Sequence, residues 1–270
     1  MGKIVAAGCS SHAPQLSKKE IKYSPVYAEQ VKKIHNALER LWEKMSEENP
    51  DSLIIIYPDH IETFFLTNFP SINIIVDRET EAHIPGWGTF KFEVNYELAK
   101  TILFGLVENG FDPSFSQRMP IPHAAYVPLL YMFKKNKVPI VPIHVNANVD
   151  PKILPKRALE LGRAIARIIN NKRPSNEKIA IIGTGGLSHY PGTPYYGKID
   201  VETDNKILSL LSEGRGEELA EFTPEQLEES GNIELRTWIV TVGAVGNRPA
   251  ELIERQITYH IDYAVVRFLL

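Results

Sequence analysis

Lys178-Ile179-Ala180-Ile181-Ile182 runs directly into Gly183-Thr184-Gly185-Gly186-Leu187-Ser188-His189. The first five residues form a short apolar run of the kind that makes a strand buried on both faces. A Gly-rich turn then delivers a histidine. The arrangement recurs three times. Lys3-Ile4-Val5-Ala6-Ala7-Gly8 leads to Cys9-Ser10-Ser11-His12, Leu53-Ile54-Ile55-Ile56-Tyr57 to Pro58-Asp59-His60, and Val138-Pro139-Ile140-Val141-Pro142-Ile143 to His144. In open α/β sheets ligands bind outside the carboxyl ends of the strands. Histidines at four such ends would be gathered from distant sequence around one crevice, which points to a metal or acid–base site.

Between these runs the periodicity is helical. Val31, Ile34, Leu38, Leu41, Trp42 and Met45 recur at helical spacing and predict a helix near 25–47, with His35 beside the stripe as a surface histidine. Asn49-Pro50-Asp51 punctuates before the next strand, 52–57. Ser71 to Val76 reads as a strand, and Glu81 to Thr89 as a loop holding His83 and Pro85-Gly86-Trp87-Gly88. A helix near 95–109 ends at Gly110, the position of a C′ glycine. Pro120-Ile121-Pro122-His123 opens a short helix, and further helices are expected near 151–170, 201–213, 223–229 and 233–244, before a final strand from Tyr263 to Phe268. Strands alternating with helices predict an α/β fold: one domain over 1–270, with a central, largely buried mixed β-sheet flanked by helices.

The chain has 270 residues, 43% hydrophobic and 23% charged, with a net charge of −3, an ordinary balance for a globular domain of this size. Acids match bases, and no Lys/Arg cluster mixes with aromatics, so no nucleic-acid partner is expected. Lys18-Lys19 and Lys134-Lys135 read as solvated pairs. Cys9 is the single cysteine, which excludes an internal disulfide and fits a reducing compartment. No run approaches the roughly 18 apolar residues of a membrane span. The apolar stretch before Cys9 is too short for a signal h-region, and Met1-Gly2 lacks the Ser/Thr of a myristoylation motif. A cytoplasmic protein is expected.

Two histidines plus one carboxylate leave coordination positions open, which suits Fe(II) that must meet both substrate and O₂. Three histidines and a water would suit catalytic zinc. No HExxH or CxxC signature chooses between them, so any site must be assembled from distant loops. The carboxylate is open among Asp59, Glu62, Asp200 and Glu234. Asp59 directly precedes His60 and could orient a histidine. Glu234 lies in the otherwise apolar helical stretch Ile233 to Val240, where a buried acid is costly unless metal-bound or paired, Arg236 being the nearest base. The turn 183–189 has neither phosphate-binding spacing, so its glycines are read as letting the backbone approach a ligand and place His189. His83 and His260 are read as ordinary structural or surface residues.

The motifs Ser11-His12-Ala13-Pro14, Asp59-His60 with Phe64-Phe65, His123 before Pro128-Leu129, Gly185-Gly186-Leu187-Ser188-His189, and Glu234-Leu235-Arg236-Thr237-Trp238 with Gly243-Ala244 occur in that order. Together they resemble the class III extradiol ring-cleavage dioxygenases of the protocatechuate 4,5-dioxygenase β-subunit type, over residues 3 to about 245. The resemblance implies Fe(II) held by His12, His60 and Glu234, His189 as the acid–base residue, and His123 as a second active-site histidine. Some family members carry Asp immediately before the residue that matches His123, whereas this chain has Pro122. No family role falls on His144, which would only line the crevice. The implied reaction opens a small catecholic or 2-aminophenolic ring with O₂, through a lactone, to a semialdehyde. The alternatives are a metal-dependent hydrolase built on the same histidines and a Memo-like binding protein of the same fold. A homo-oligomer is expected, or a pairing with a small α-subunit as in some family members, covering a crevice bordered by loops 79–90, with Trp87, and 13–24.

Overall fold

The four apolar runs are strands, and they lie side by side. The computed structural model describes residues 1–19 and 24–270. Its strands are β1 (Lys3–Ser10), β2 (Ser52–Tyr57), β3 (Ile72–Ile75), β4 (Glu79–Ile84), β5 (Gly88–Glu93), β6 (Ser114–Ser116), β7 (Ile140–Val145), β8 (Lys178–Thr184), β9 (Ala250–Ile257) and β10 (Asp262–Phe268). Its α-helices are α1 (Pro25–Ser46), α2 (Tyr96–Glu108), α3 (His123–Met132), α4 (Pro155–Lys172), α5 (Val201–Ser212), α6 (Pro224–Glu229) and α7 (Leu235–Val245).

Among the described residues, eight strands form one sheet in the order β6-β3-β7-β2-β8-β1-β10-β9. The inner strands β7, β2, β8 and β1 are mutually parallel, while β10 and β9 continue antiparallel at one edge and β3 joins β7 antiparallel at the other. The sheet is therefore mixed. Parallel inner strands must be covered on both faces. Helices α1 and α3 pack on one face, with α2, α4 and α7 on the other. Leu53, Ile54, Ile55, Ile56, Ile181 and Ile182 are fully buried between the layers.

Helices α4 and α7 cross with their backbones in contact. A Cβ on Gly162 would come within 1.9 Å of the Val240 carbonyl oxygen, and one on Gly243 within 2.2 Å of that of Leu159. Neither position accepts a side chain, and the crossing fixes where the first turn of α7 meets the sheet.

Three elements differ from the sequence reading. Residues 81–89, expected as a loop, belong to the hairpin of β4 and β5. There Thr80, Ala82 and Ile84 alternate inward with Glu79, Glu81 and His83, a two-residue period masked by outward charges. Strand β9 went unforeseen because Glu251, Glu254 and Arg255 interrupt its apolar residues, as an edge strand half open to solvent permits. Strand β6 is only three residues long. No described helix is long and apolar enough to cross a membrane.

Candidate metal centre

Each inner parallel strand delivers something to one end of the sheet. His12 follows β1, His60 follows β2, His189 follows β8, and α7 begins beside them with Glu234 as its N-cap residue. The Glu234 carboxylate is 2% exposed. Nε2 of His60 lies 2.7 Å from its Oε1, while Nε2 of His12 and of His189 lie 3.5 and 3.6 Å from Oε2. His123, the first residue of α3, closes the group, its ring centroid 4.5 Å from that of His60. The four rings and Glu234 line a cavity of about 150 Å³.

The framework holds these groups by backbone rather than by chance packing. Gly185 has φ +148° and sits against α7, where a Cβ would meet the Glu234 Cβ and carbonyl oxygen at 2.9 Å each. Only glycine lets the turn after β8 come that close. Thr237 donates its hydroxyl to the Thr184 carbonyl at 2.7 Å, tying α7 to the end of β8. Ser11 donates to the Gly186 carbonyl at 2.6 Å and accepts the Ala264 N–H at 3.0 Å, tying the turn to β1 and β10. Ser188 gives both its N–H and its hydroxyl to Asp204, which is fully buried. His189 then offers Nδ1 to the Leu187 carbonyl at 3.0 Å. A carbonyl only accepts, so Nδ1 carries the hydrogen and Nε2 is left facing the cavity.

Burial is the strongest influence on His12, His60 and Glu234. It pulls His12 down to about 4, although Glu234 acts to raise it. Burial also works against ionisation of Glu234, but the facing His12, His60 and His189 rings outweigh it and hold the carboxyl well below its usual range. For His60 burial again acts downward, and Glu234, by charge and hydrogen bond, with Glu62 and Asp59, pushes the net shift upward. Glu234 Oε1 and His60 Nε2 are joined by a hydrogen bond of 2.7 Å, with a proton between them. A divalent ion would displace that proton.

The donor set fits such an ion. Nε2 of His12 and His60 stand 3.5 and 2.7 Å from Glu234 oxygens, close to the ~3 Å between neighbouring ligands of a metal with bonds of about 2.0–2.2 Å. The Nδ1 atoms of both rings are buried without a hydrogen-bond partner. A fully buried carboxylate among imidazoles is what a metal would reconcile. Ring nitrogens of His12, His60 and His123 also lie within 4.8 Å of one another, a second way to bind an ion.

The remaining candidates are placed elsewhere. Asp59 does not orient a histidine; its oxygens accept the N–H groups of Glu62 and Thr63 and the Thr63 hydroxyl, capping the turn after β2. Asp200 caps α5 through the Thr203 N–H. Glu62 pairs with His123. Arg236 does not pair with Glu234 but donates to the Ile153 and Ile233 carbonyls. His144 lies inside β7, bonded to the Pro70 carbonyl and packed on Phe64 and Phe69, away from the cavity. The contribution of β7 is instead Asn148, which bridges the Asp59 carbonyl and Glu234 Oε1 at 3.2 Å each. His83 is exposed on the hairpin beside Thr89 and Glu81. His260, read as ordinary, lines the cavity with a buried, unpartnered Nε2. His35, read as a surface residue, is half-buried, stacked on Tyr131 and bonded to the Leu16 carbonyl. Trp87 is not among the residues that line the cavity; it donates to the Ser17 carbonyl at 2.6 Å. Of segment 13–24, Ala13, Pro14 and Gln15 line the cavity, and 20–23 lie outside the described residues.

The chain matches a protein family described as the catalytic LigB subunit of aromatic ring-opening dioxygenase, over residues 6–268. It is 27% identical over 204 residues to a 2,3-dihydroxyphenylpropionate/2,3-dihydroxicinnamic acid 1,2-dioxygenase of Photorhabdus laumondii, covering 74% of this chain and 61% of the relative. It is 22% identical to the Escherichia coli O139:H28 protein of the same name, over 88% of each. The chain thus spans less than two thirds of the first relative and most of the second. An uncharacterized protein from Escherichia coli K12 shares the fold, with a TM-score of 0.61 at 13% identity over 97% of this chain and 99% of that one.

Proposed function

The chain belongs to the LigB family of catalytic subunits of aromatic ring-opening dioxygenases, and from that premise we propose that it is an Fe(II)-dependent extradiol enzyme opening the ring of a catecholic or 2-aminophenolic substrate with O₂. The observation that carries this reading is the buried Glu234 carboxylate met by the imidazoles of His12 and His60. His12 and His60, as neutral imidazoles, and the Glu234 carboxylate would hold the ion and leave coordination positions open. When bound, Fe(II) would supply those positions to the two substrate oxygens and to O₂, and lower the phenol pKa by direct coordination.

The protein's own groups would do the rest. His189 Nε2 faces the cavity with Nδ1 anchored, so it can take a phenolic proton and return it to a product oxygen. Asn148 steadies Glu234. The buried His12, His123 and Glu234 side chains form the floor of the cavity, away from bulk water. Among the described residues no Lys or Arg lines it, so an uncharged ring substituent fits this lining better than a carboxylate does. The relatives named above carry dihydroxyphenylpropionate in their names, which makes a propionate-bearing catechol the informative comparison. Residues 1–270 act as one catalytic domain in this reading, in a reducing cytoplasmic setting consistent with the free, buried Cys9. The working form is a homo-oligomer, or a pair with a small α-subunit.

Metal analysis of point variants tests the assignment. His12→Ala, His60→Ala and Glu234→Ala should each lose iron while the far-ultraviolet dichroism is kept. His189→Phe should keep iron and catechol binding but turn over about 10²–10⁴-fold more slowly. Iron retained in Glu234→Ala, or lost in His189→Phe, would redraw the ligand set.

A further inference from the structure

The residue before His123 is a proline, and Pro122, the N-cap of α3, provides no side-chain cap. Helix N-termini leave N–H groups without intrahelical partners. Here the partner comes from the loop after β2: Glu62 Oε2 accepts the His123 N–H at 3.0 Å. The other oxygen, Oε1, takes Nδ1 of the same residue's ring. One carboxylate therefore grips His123 twice, by backbone and by ring.

That grip has a chemical consequence. An ionised carboxylate only accepts, so Nδ1 carries the hydrogen and the lone pair of the neutral ring lies on Nε2. His123 is buried at the cavity wall, while Glu62 reaches it from the solvent side with a side chain 40% exposed. The rings within 4 Å of the Glu234 carboxylate are those of His12, His60 and His189. His123 stands beside that group and faces the same space.

We propose that Glu62 is a positioning residue that fixes His123 in its Nδ1–H tautomer, so that Nε2 accepts a proton from the substrate group that His189 does not serve and later returns it to a product oxygen. The proposal rests on the dioxygenase reading. The carboxylate partner of His123 thus comes from the loop of a neighbouring strand instead of from the preceding position, which is Pro122. The proton moves from substrate oxygen to Nε2, and the imidazolium so formed is paired with Glu62 until it is released. No other bond changes at His123.

Imidazole-nitrogen NMR on the metal-free, full-length protein reads the tautomer without turnover. Wild type should show His123 as Nδ1–H, Glu62→Gln should lose that preference, and Glu62→Asp should recover it. With iron loaded, Glu62→Gln should keep its metal and KM and lose about 10–100-fold in kcat, the usual worth of an outer partner. Glu62→Asp should regain part of that loss. The double variant Glu62→Gln/His123→Gln should be no slower than His123→Gln alone. A tautomer unchanged in Glu62→Gln would overturn the proposal, as would additive losses in the double variant. A mere helix cap would lower the Tm and leave tautomer and kcat alone. Wild type that fails to cleave any catechol, yet shows the tautomer change, would overturn the dioxygenase reading and its proton transfer while upholding the Glu62–His123 pairing.

Discussion

Four imidazoles and one carboxylate share a small buried volume, where desolvation by itself favours the neutral form of each. Burial works against a charged Glu234, but the facing His12, His60 and His189 rings hold its carboxyl well below the usual range, while burial pulls His12 down to about 4. Asp204, beneath the turn that carries His189, goes the other way. Burial pushes it up to about 7, the Ser188 and Asn232 hydrogen bonds pull it back, and neighbouring Asp262 pushes it further up. Its folded pKa exceeds its ordinary 3.8, so the stability it contributes is complete below that pH and is lost as pH rises through about 7. Asp204→Asn removes the titration. Its Tm should therefore improve relative to wild type on going from about pH 5 to about pH 8. Parallel Tm curves over that span would show that Asp204 does not hold a proton in the folded state.

Helix α7 and the turn after β8 set the precision of the centre, because Glu234 begins the helix and Gly185 lies against it. Gly243 holds α7 against α4, and Gly243→Ala would have to part the two backbones. The expected cost is about 1–3 kcal/mol of overpacking, or more, read as a Tm several degrees lower, with weaker metal binding because Glu234 shifts with its helix. An unchanged Tm would mean that the crossing has slack. The inner strands, α1 and the strand-end positions of His12, His60 and His189 were legible in the sequence, since apolar runs and helical stripes report burial directly. Hairpin β4–β5 was not, because short alternation with charged outward residues looks like a polar loop. His144 misled for a related reason: β7 continues through it to Val145, so the ring packs on the sheet and the site receives Asn148 instead. The Glu62–His123 pair joins residues 61 apart, and no local pattern marks such a contact.

At the scale of the molecule, the half-exposed Tyr196 lines the cavity on its open face, and several other large apolar side chains are exposed. Phe65, Leu66, Tyr195 and Tyr196 are 56, 73, 64 and 56% exposed. Chemistry with O₂ gains from excluding water, and a neighbouring subunit over this face would do so. Light scattering should find a homodimer, the commonest symmetric assembly. A monomer with full catechol cleavage well below micromolar concentration would contradict that, and a dimer needing a second polypeptide for activity would favour the α-subunit form. The hydrolase and Memo-like alternatives keep the same fold and histidines, so only chemistry separates them from the dioxygenase reading. The decisive measurement is anaerobic reconstitution with Fe(II), in parallel with Zn(II), followed by a catechol and isotopically heavy O₂. The predicted result is a ring-opened product carrying both heavy oxygen atoms, formed with Fe(II) and not with Zn(II). Fe(II)-loaded protein that consumes no O₂ with any catechol, while the Zn(II) form hydrolyses an ester or amide, would contradict the account.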